Sequence, residues 1–392
     1  MNTKTQIPAY RVAPCAMRST RTIAVLIAMT MLSGCAWFGW RGDKKAAALP
    51  PITGVNAASV LWSANVGKSG GYLFTPSFGD RLVYAVGRDG SIYALSEEGG
   101  RVVTRLESKS ALTGGVGFND DTVVVGSGKG DVIALDTAGR ALWKTAVAGE
   151  VLAAPAVASG NVIVRIADGR ILALNRIDGK QKWVFQRAAP ALTLRTNAGV
   201  LINRGVIYAG YPGGKIIAIE LDSGKPIWEA VNSLARGATE LERIADVSGL
   251  PVLDDTRICA AVYQGRTGCV ETLNGNVLWS REISSADGVA IDAKYVYVAD
   301  TAGNVFALDK TNGATAWKLE KLQLRDPGTP LIAKGKIVIG DKDGIVHVMS
   351  PENGEMIGRI PTDGSRVVSL SSRGDRVIAQ TDKGGVFAIA VR

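Results

Sequence analysis

Residues 287–320 read DGVAIDAKYVYVADTAGNVFALDKTNGATAWKLE. Apolar residues recur in Tyr295-Val296-Tyr297-Val298 and in Val305-Phe306-Ala307-Leu308, runs of strand length with β-branched and aromatic character. Ala302-Gly303 separates the two runs, and Asn312-Gly313 precedes a third that ends on Trp317 and Lys318. Glycine after a small polar residue supplies the positive φ that a tight hairpin requires. The stretch therefore predicts four short antiparallel strands in one blade-sized unit, the period of a β-propeller.

Working outward, the turn-and-tryptophan segment recurs. ALDTAGRALW ends at Trp143, ALNRIDGKQKW at Trp183, AIELDSGKPIW at Trp228, CVETLNGNVLW at Trp279 and ALDKTNGATAW at Trp317. Two weaker copies, ALSEEGGRVVT and VMSPENGEMIG, carry Thr104 and Gly358 at the tryptophan position. Upstream glycine turns fall at Gly90, Gly130, Gly169, Gly214, Gly265, Gly303, Gly344 and Gly384, with successive spacings of 40, 39, 45, 51, 38, 41 and 40 residues. Eight units follow. An aromatic at one fixed place per unit suits the wedge between neighbouring blades, where its large apolar area is buried. The last unit, from Ser365, stops after three strands, whereas the segment around Trp62 is a fourth strand with no unit before it. If the N-terminal strand completes the last blade, the ring closes and leaves no long open edge. The expectation is an all-β chain folded as an eight-bladed β-propeller of four-stranded antiparallel blades over residues 56–392.

Composition agrees with many tight turns: 46% of the residues are hydrophobic and 47 of 392 are glycine. Ahead of the repeat, Arg11, Arg18 and Arg21 precede the apolar run Ile23 to Met31, which leads into Leu32-Ser33-Gly34-Cys35. A basic region, a short apolar run and a small residue before cysteine have the layout of an export signal. Residues 1–34 are thus expected to be a lipoprotein signal peptide, with Cys35 lipidated and residues 35–55 a flexible tether of at most roughly 70 Å. Without the signal, 41 basic residues face 36 acidic ones, so the formal charge falls from +9 to +5. Neither a basic block nor a basic-aromatic stripe is present, which argues against a nucleic-acid partner. Two cysteines, Cys259 and Cys269, belong to the folded body and flank a predicted hairpin centred near Gln264. They are placed for a cross-strand disulfide in an oxidising compartment, or for two buried thiols that never react; both outcomes are open.

Catalytic chemistry finds little purchase. His347, in IVHVM, is the single histidine, so a His-based triad or multi-His metal site cannot be drawn within one chain. It is expected to be a partly buried blade residue. Asp341 and Asp343 of DKDG are accounted for by turn formation. No catalytic residue, cofactor or metal site is therefore assigned. The motif A-x-[DEN]-x-x-x-G-x-x-x-W resembles the repeat of pyrroloquinoline-quinone propellers, which implies a second reading as a periplasmic quinoprotein-like dehydrogenase or ligand sensor. Those enzymes use a vicinal Cys-Cys disulfide over the cofactor, and this chain has no adjacent cysteines.

The two long spacings mark insertions between blades. One contains Leu192-Thr193-Leu194-Arg195; the other reads NSLARGATELERIADVSGLP after Trp228. Both connect the outer strand of one blade to the inner strand of the next, so both are expected on the same face of the disc, where insertions in a repeat array tend to bind. With the lipobox, the tether and eight Trp-motif units, these loops resemble the BamB family, lipoprotein subunits of the machinery that inserts β-barrel proteins into the Gram-negative outer membrane. The resemblance implies a non-catalytic scaffold, lipid-anchored at the periplasmic face of that membrane, that docks a POTRA domain of BamA, with unfolded barrel clients as further candidate partners. Carried over by position, the docking candidates are Leu192, Leu194, Arg195 and Asp246, with Glu240 and Arg243 beside them. Two exposed leucines would bury apolar area while the guanidinium supplies directional hydrogen bonds. Where the family can carry a second acid after the aspartate, this chain has Ser248.

Overall fold

Strand formation follows the glycine-turn rhythm in a computed structural model that describes residues 46, 48–52, 56–119, 121–188, 190, 192–233 and 239–392. Among these residues there are 32 strands and no helix, arranged as eight four-stranded antiparallel sheets. Numbered in chain order, blades 1 to 7 span 77–107, 112–146, 156–185, 200–231, 252–281, 289–319 and 331–361. Blade 8 takes three strands from 367–391 and its outer strand, Ala58–Asn65, from the start of the propeller. Ala58 pairs with Val391 and Asn65 with Gly385, so the ring is closed by the leading strand as its pattern implied.

The core is eight wedges rather than one centre. Each hydrophobic cluster straddles one boundary between blades. In Val206–Tyr211 of blade 4, Ile207 and Ala209 face blade 3 while Tyr208 faces blade 5. The pleat points successive side chains to opposite faces, so a middle strand buried on both sides is apolar throughout. Outer strands meet solvent, and there the alternation shows, as in the exposed Leu142 beside the buried Trp143.

The motif tryptophans tie neighbouring blades together. Trp143 Nε1 donates to the Arg176 carbonyl at 2.7 Å, Trp228 Nε1 to Thr272 at 2.9 Å and Trp317 Nε1 to Pro351 at 2.8 Å, each acceptor lying on the turn of the following blade. That turn must come close to the ring. A Cβ on Gly275 would sit 2.7 Å from the Trp228 ring and one on Gly179 2.5 Å from the Trp143 ring. Where blade 7 meets the closing strand there is no such turn, and Gly358 stands in for the tryptophan. Asn56 fills the place: its Nδ2 donates to the Arg359 carbonyl at 2.9 Å, and its Oδ1 accepts from the Arg359 amide at 3.1 Å.

Three expectations meet the structure differently. The signal peptide 1–34, Cys35 and the tether up to residue 45 lie outside the described residues. The end of the expected flexible tether is docked: Leu49 and Ile52 pack against the cluster between blades 6 and 7, and Pro50 accepts a hydrogen bond from Arg359 Nη2 at 2.8 Å. Apolar Leu49 and Ile52 gain by burial there. His347 is wholly rather than partly buried, and Asp341 is more than a turn residue. Asp341 Oδ1 accepts from the Asp343 and Ile345 amides, while Oδ2 meets His347 Nε2 at 3.0 Å and Arg325 Nη1 at 3.1 Å. Burial pushes the His347 pKa below its ordinary value. Cys259 and Cys269 are register partners on adjacent strands of blade 5, both fully buried, with their sulfurs bonded.

Candidate docking face

Two connections are longer than the rest: the one from Phe185 to Val200, between blades 3 and 4, and the one from Val231 to Val252, between blades 4 and 5. Each leaves an outer strand for the next inner strand. In a four-stranded antiparallel blade that places both on the face carrying the turns between second and third strands. The two loops touch. Asp246 makes isolated β-bridges to Pro212 of blade 4 and Tyr263 of blade 5, so the second loop crosses between two turns. Its carboxylate reaches the first loop: Oδ2 accepts from the Leu194 amide at 2.6 Å, and Oδ1 from the Gly213 amide at 3.4 Å.

The docking candidates differ in exposure. Asp246 is 2% exposed and its carboxylate is spent inside the protein, on the part-buried Leu194 and Gly213 amides. Burial pushes its carboxyl above the ordinary range, against the opposing pull of those amides and of Arg165. Leu194, expected to be exposed, is half-buried. Leu192 projects at 42% exposure.

Arg195 lies across the same face. Its Nε donates to Glu150 Oε2 at 2.9 Å, and its guanidinium stands 5.6 Å from the centre of the Tyr72 ring. Those two partners raise its pKa further above the usual arginine value. The side chain stays 55% exposed, so the pair is a weak surface tie that orients the group rather than hiding it. Glu240 and Arg243 are exposed on a single turn. Thr239 and Glu242 cap that turn reciprocally: the Thr239 amide donates to Glu242 Oε2 at 3.1 Å and the Glu242 amide to Thr239 Oγ1 at 3.3 Å. The turn holds Leu241 out at 66% exposure. The Ser248 hydroxyl donates to the Ala286 carbonyl at 2.7 Å.

The structure thus brings Leu192, Leu194, Arg195 and Asp246 into one rim, with the first and third presented to solvent and the other two holding the loops together. Sequence reasoning missed Leu241, Glu150 and Tyr72. The Thr-x-x-Glu spacing at Thr239 was a usable signal for the turn that lifts Leu241. Glu150 and Tyr72 sit in connections of ordinary length, where no irregularity marks them. Among the described residues, no group of three or more His, Cys, Asp or Glu side chains is arranged to hold a metal ion.

A family model described as outer membrane protein assembly factor BamB matches residues 88–319. The chain is 37% identical over 393 residues to the outer membrane protein assembly factor BamB of Nitrosomonas eutropha, covering 95% of each chain. Among solved structures, BamB from Moraxella catarrhalis superposes with a TM-score of 0.79 at 26% identity, covering 85% of this chain and 99% of that one. The quinohemoprotein alcohol dehydrogenase of Comamonas testosteroni superposes at 0.69 with 16% identity, over 87% of this chain and 78% of that one. At that identity the likeness is one of fold.

Proposed function

Because this chain belongs to the BamB family of outer membrane protein assembly factors, we propose that it is a non-catalytic scaffold whose two-loop rim docks a POTRA domain of a BamA-like barrel protein. In this reading Cys35 carries the lipid that holds the disc at the periplasmic face of the outer membrane, and the docked pair assists insertion of β-barrel proteins. The observation that carries it is the clasp at Asp246. By tying the Leu194 backbone to the turns of blades 4 and 5, it fixes two separate insertions as one surface bearing Leu192, Arg195 and Leu241. An oriented arginine, a residue type enriched in binding hot spots, stands here beside exposed leucines whose apolar area a partner would bury. Relatives named as assembly factors favour a scaffold over the quinoprotein reading, which rests on shared architecture alone.

The test is a titration of the partner's purified POTRA region into the protein. Leu192→Asp and Arg195→Ala are each expected to weaken binding by about tenfold or more, the scale of a hot-spot residue. Both side chains are exposed, so unfolding free energy should stay within about 0.5 kcal/mol of the parent. Unchanged affinity in both variants would show that the rim is not the docking surface.

A further inference from the structure

Behind the first loop lies a cavity of about 380 Å³ between blades 3 and 4, walled in part by Thr193 and Leu194. Six charged side chains line it: Arg165, Asp168, Arg187, Lys215, Glu229 and Asp246. Five are matched. Glu229 bonds to Lys215 at 2.6 Å and Arg187 at 3.1 Å, Asp168 to Arg170 at 2.7 Å, and Asp246 to its two amides.

Arg165 is the exception. It ends the strand Asn161–Arg165, is 9% exposed, and its buried Nη1 has no hydrogen-bond partner. Its guanidinium lies 5.1 Å from the centre of the Tyr211 ring, and the Tyr211 hydroxyl, also buried in the cavity wall, is equally without a partner. Asp246 offsets the charge through space but spends both oxygens elsewhere. A buried guanidinium without a hydrogen-bonded anion is costly, and the two residues that carry these unmatched donors line one cavity, where a small side-chain rotation would bring both donors to an acceptor. The remaining wall includes Leu152, Ile166, Ala198 and Val247, which suits a carbon chain better than a fully hydrated inorganic anion.

We propose that this cavity binds a carboxylate, which accepts hydrogen bonds from Arg165 Nη1 and the Tyr211 hydroxyl while its carbon chain lies against the apolar wall. A guanidinium stacked on an aromatic ring presents its edge in a fixed plane, the geometry that recognises a carboxylate. Burial lowers the arginine's pKa and raises the tyrosine's; a guanidinium carries only N–H donors and a neutral phenol keeps its O–H, so both can donate to a carboxylate. The carboxylate belongs either to a free organic acid or to an acidic side chain of a bound polypeptide. Neither Arg165 nor Tyr211 belongs to the exposed rim, although Leu194 and Asp246 of that rim also wall the cavity.

The test is calorimetric titration of the full-length protein in detergent, at fixed ionic strength and pH 7, with two probes: butyrate, and the blocked peptide acetyl-Ala-Glu-Ala-amide. Saturable one-to-one binding is expected for at least one. Butyrate alone identifies a free acid as the ligand; the peptide alone identifies an acidic side chain. Arg165→Gln should weaken binding by about tenfold or more, the size of a charge-assisted hydrogen bond. Tyr211→Phe, which keeps the ring and the fold, should weaken it about threefold to tenfold. Absence of saturable binding by both probes up to about 50 mM, or an affinity that Tyr211→Phe leaves unchanged, overturns the proposal.

Discussion

At the residue scale the decisive group is the Asp246 carboxylate, which accepts from two main-chain amides on different elements. Asp246→Ala strands both donors, and because both are only part-buried the two together cost about 1–3 kcal/mol. Urea unfolding of this variant should show a loss in that range, accompanied by weaker docking because the two loops come apart. Asp246→Asn keeps one acceptor and should fall between the alanine variant and the parent. Equal stability in all three proteins would mean that the clasp contributes nothing.

A second aspartate sets a pH dependence. Asp287, partly buried and near Asp326, has its pKa pushed up to about 6 from 3.8, mainly by burial and then by the neighbouring charge, with Arg366 opposing. Between those values the folded chain retains a proton that the unfolded chain has released. Stability therefore falls as pH rises from about 4 to about 6, by on the order of 1–2 kcal/mol once solvent screening is allowed for. Asp287→Asn removes this dependence. Unfolding midpoints of the two proteins should agree near pH 4 and separate by pH 7, with the variant the more stable. Parallel curves would place the proton elsewhere.

At the scale of elements, the repeat that gives the blade also couples it to its neighbour. Glycine and tryptophan stand in one line of the motif, yet the ring of each tryptophan lies on the glycine turn of the following blade, as Trp228 does on Gly275 and Trp279 on Gly313. Period and turn chemistry made the strands, their number and the closing strand legible. The partner of each tryptophan was not legible, because a motif records neighbours along the chain whereas this contact crosses a boundary. The same holds for the site. Insertions announced themselves as breaks in spacing, and the family resemblance singled out Leu192 and Arg195 within the first of them. The inward turn of Asp246 and the half-burial of Leu194 depend on backbone amides that every residue carries, and no side-chain pattern reports where those amides point.

Gly275→Ala tests the coupling. The new methyl would meet Trp228 at 2.7 Å on a backbone with φ of +76°. Overpacking and the left-handed conformation together should cost about 2–4 kcal/mol. Gly335→Ala is the matched control: its φ is +69° but nothing lies within 4 Å of the added carbon. The control should lose only about 1–2 kcal/mol, the conformational part. Equal losses in urea unfolding would indicate that the ring contact adds no constraint.

At the scale of the whole molecule, closure fixes which residues share a face. The strand Ala58–Asn65 seals blade 8, so every connection between blades emerges on one side of the disc and every turn between third and fourth strands on the other. Leu192 and Leu241 stand on the first side. Ile177 and Leu273, the latter 84% exposed, stand on turns of the second and are as apolar as the rim. Apolar exposure alone therefore does not choose the docking face; the joining of two insertions does. The direct measurement is photocrosslinking in cells from a photoreactive amino acid placed singly at Leu192, Leu241, Ile177 or Leu273. Covalent capture of the BamA-like protein from the first two positions and not from the last two is the result the account predicts. Capture from Ile177 and Leu273 with none from Leu192 and Leu241 would contradict it.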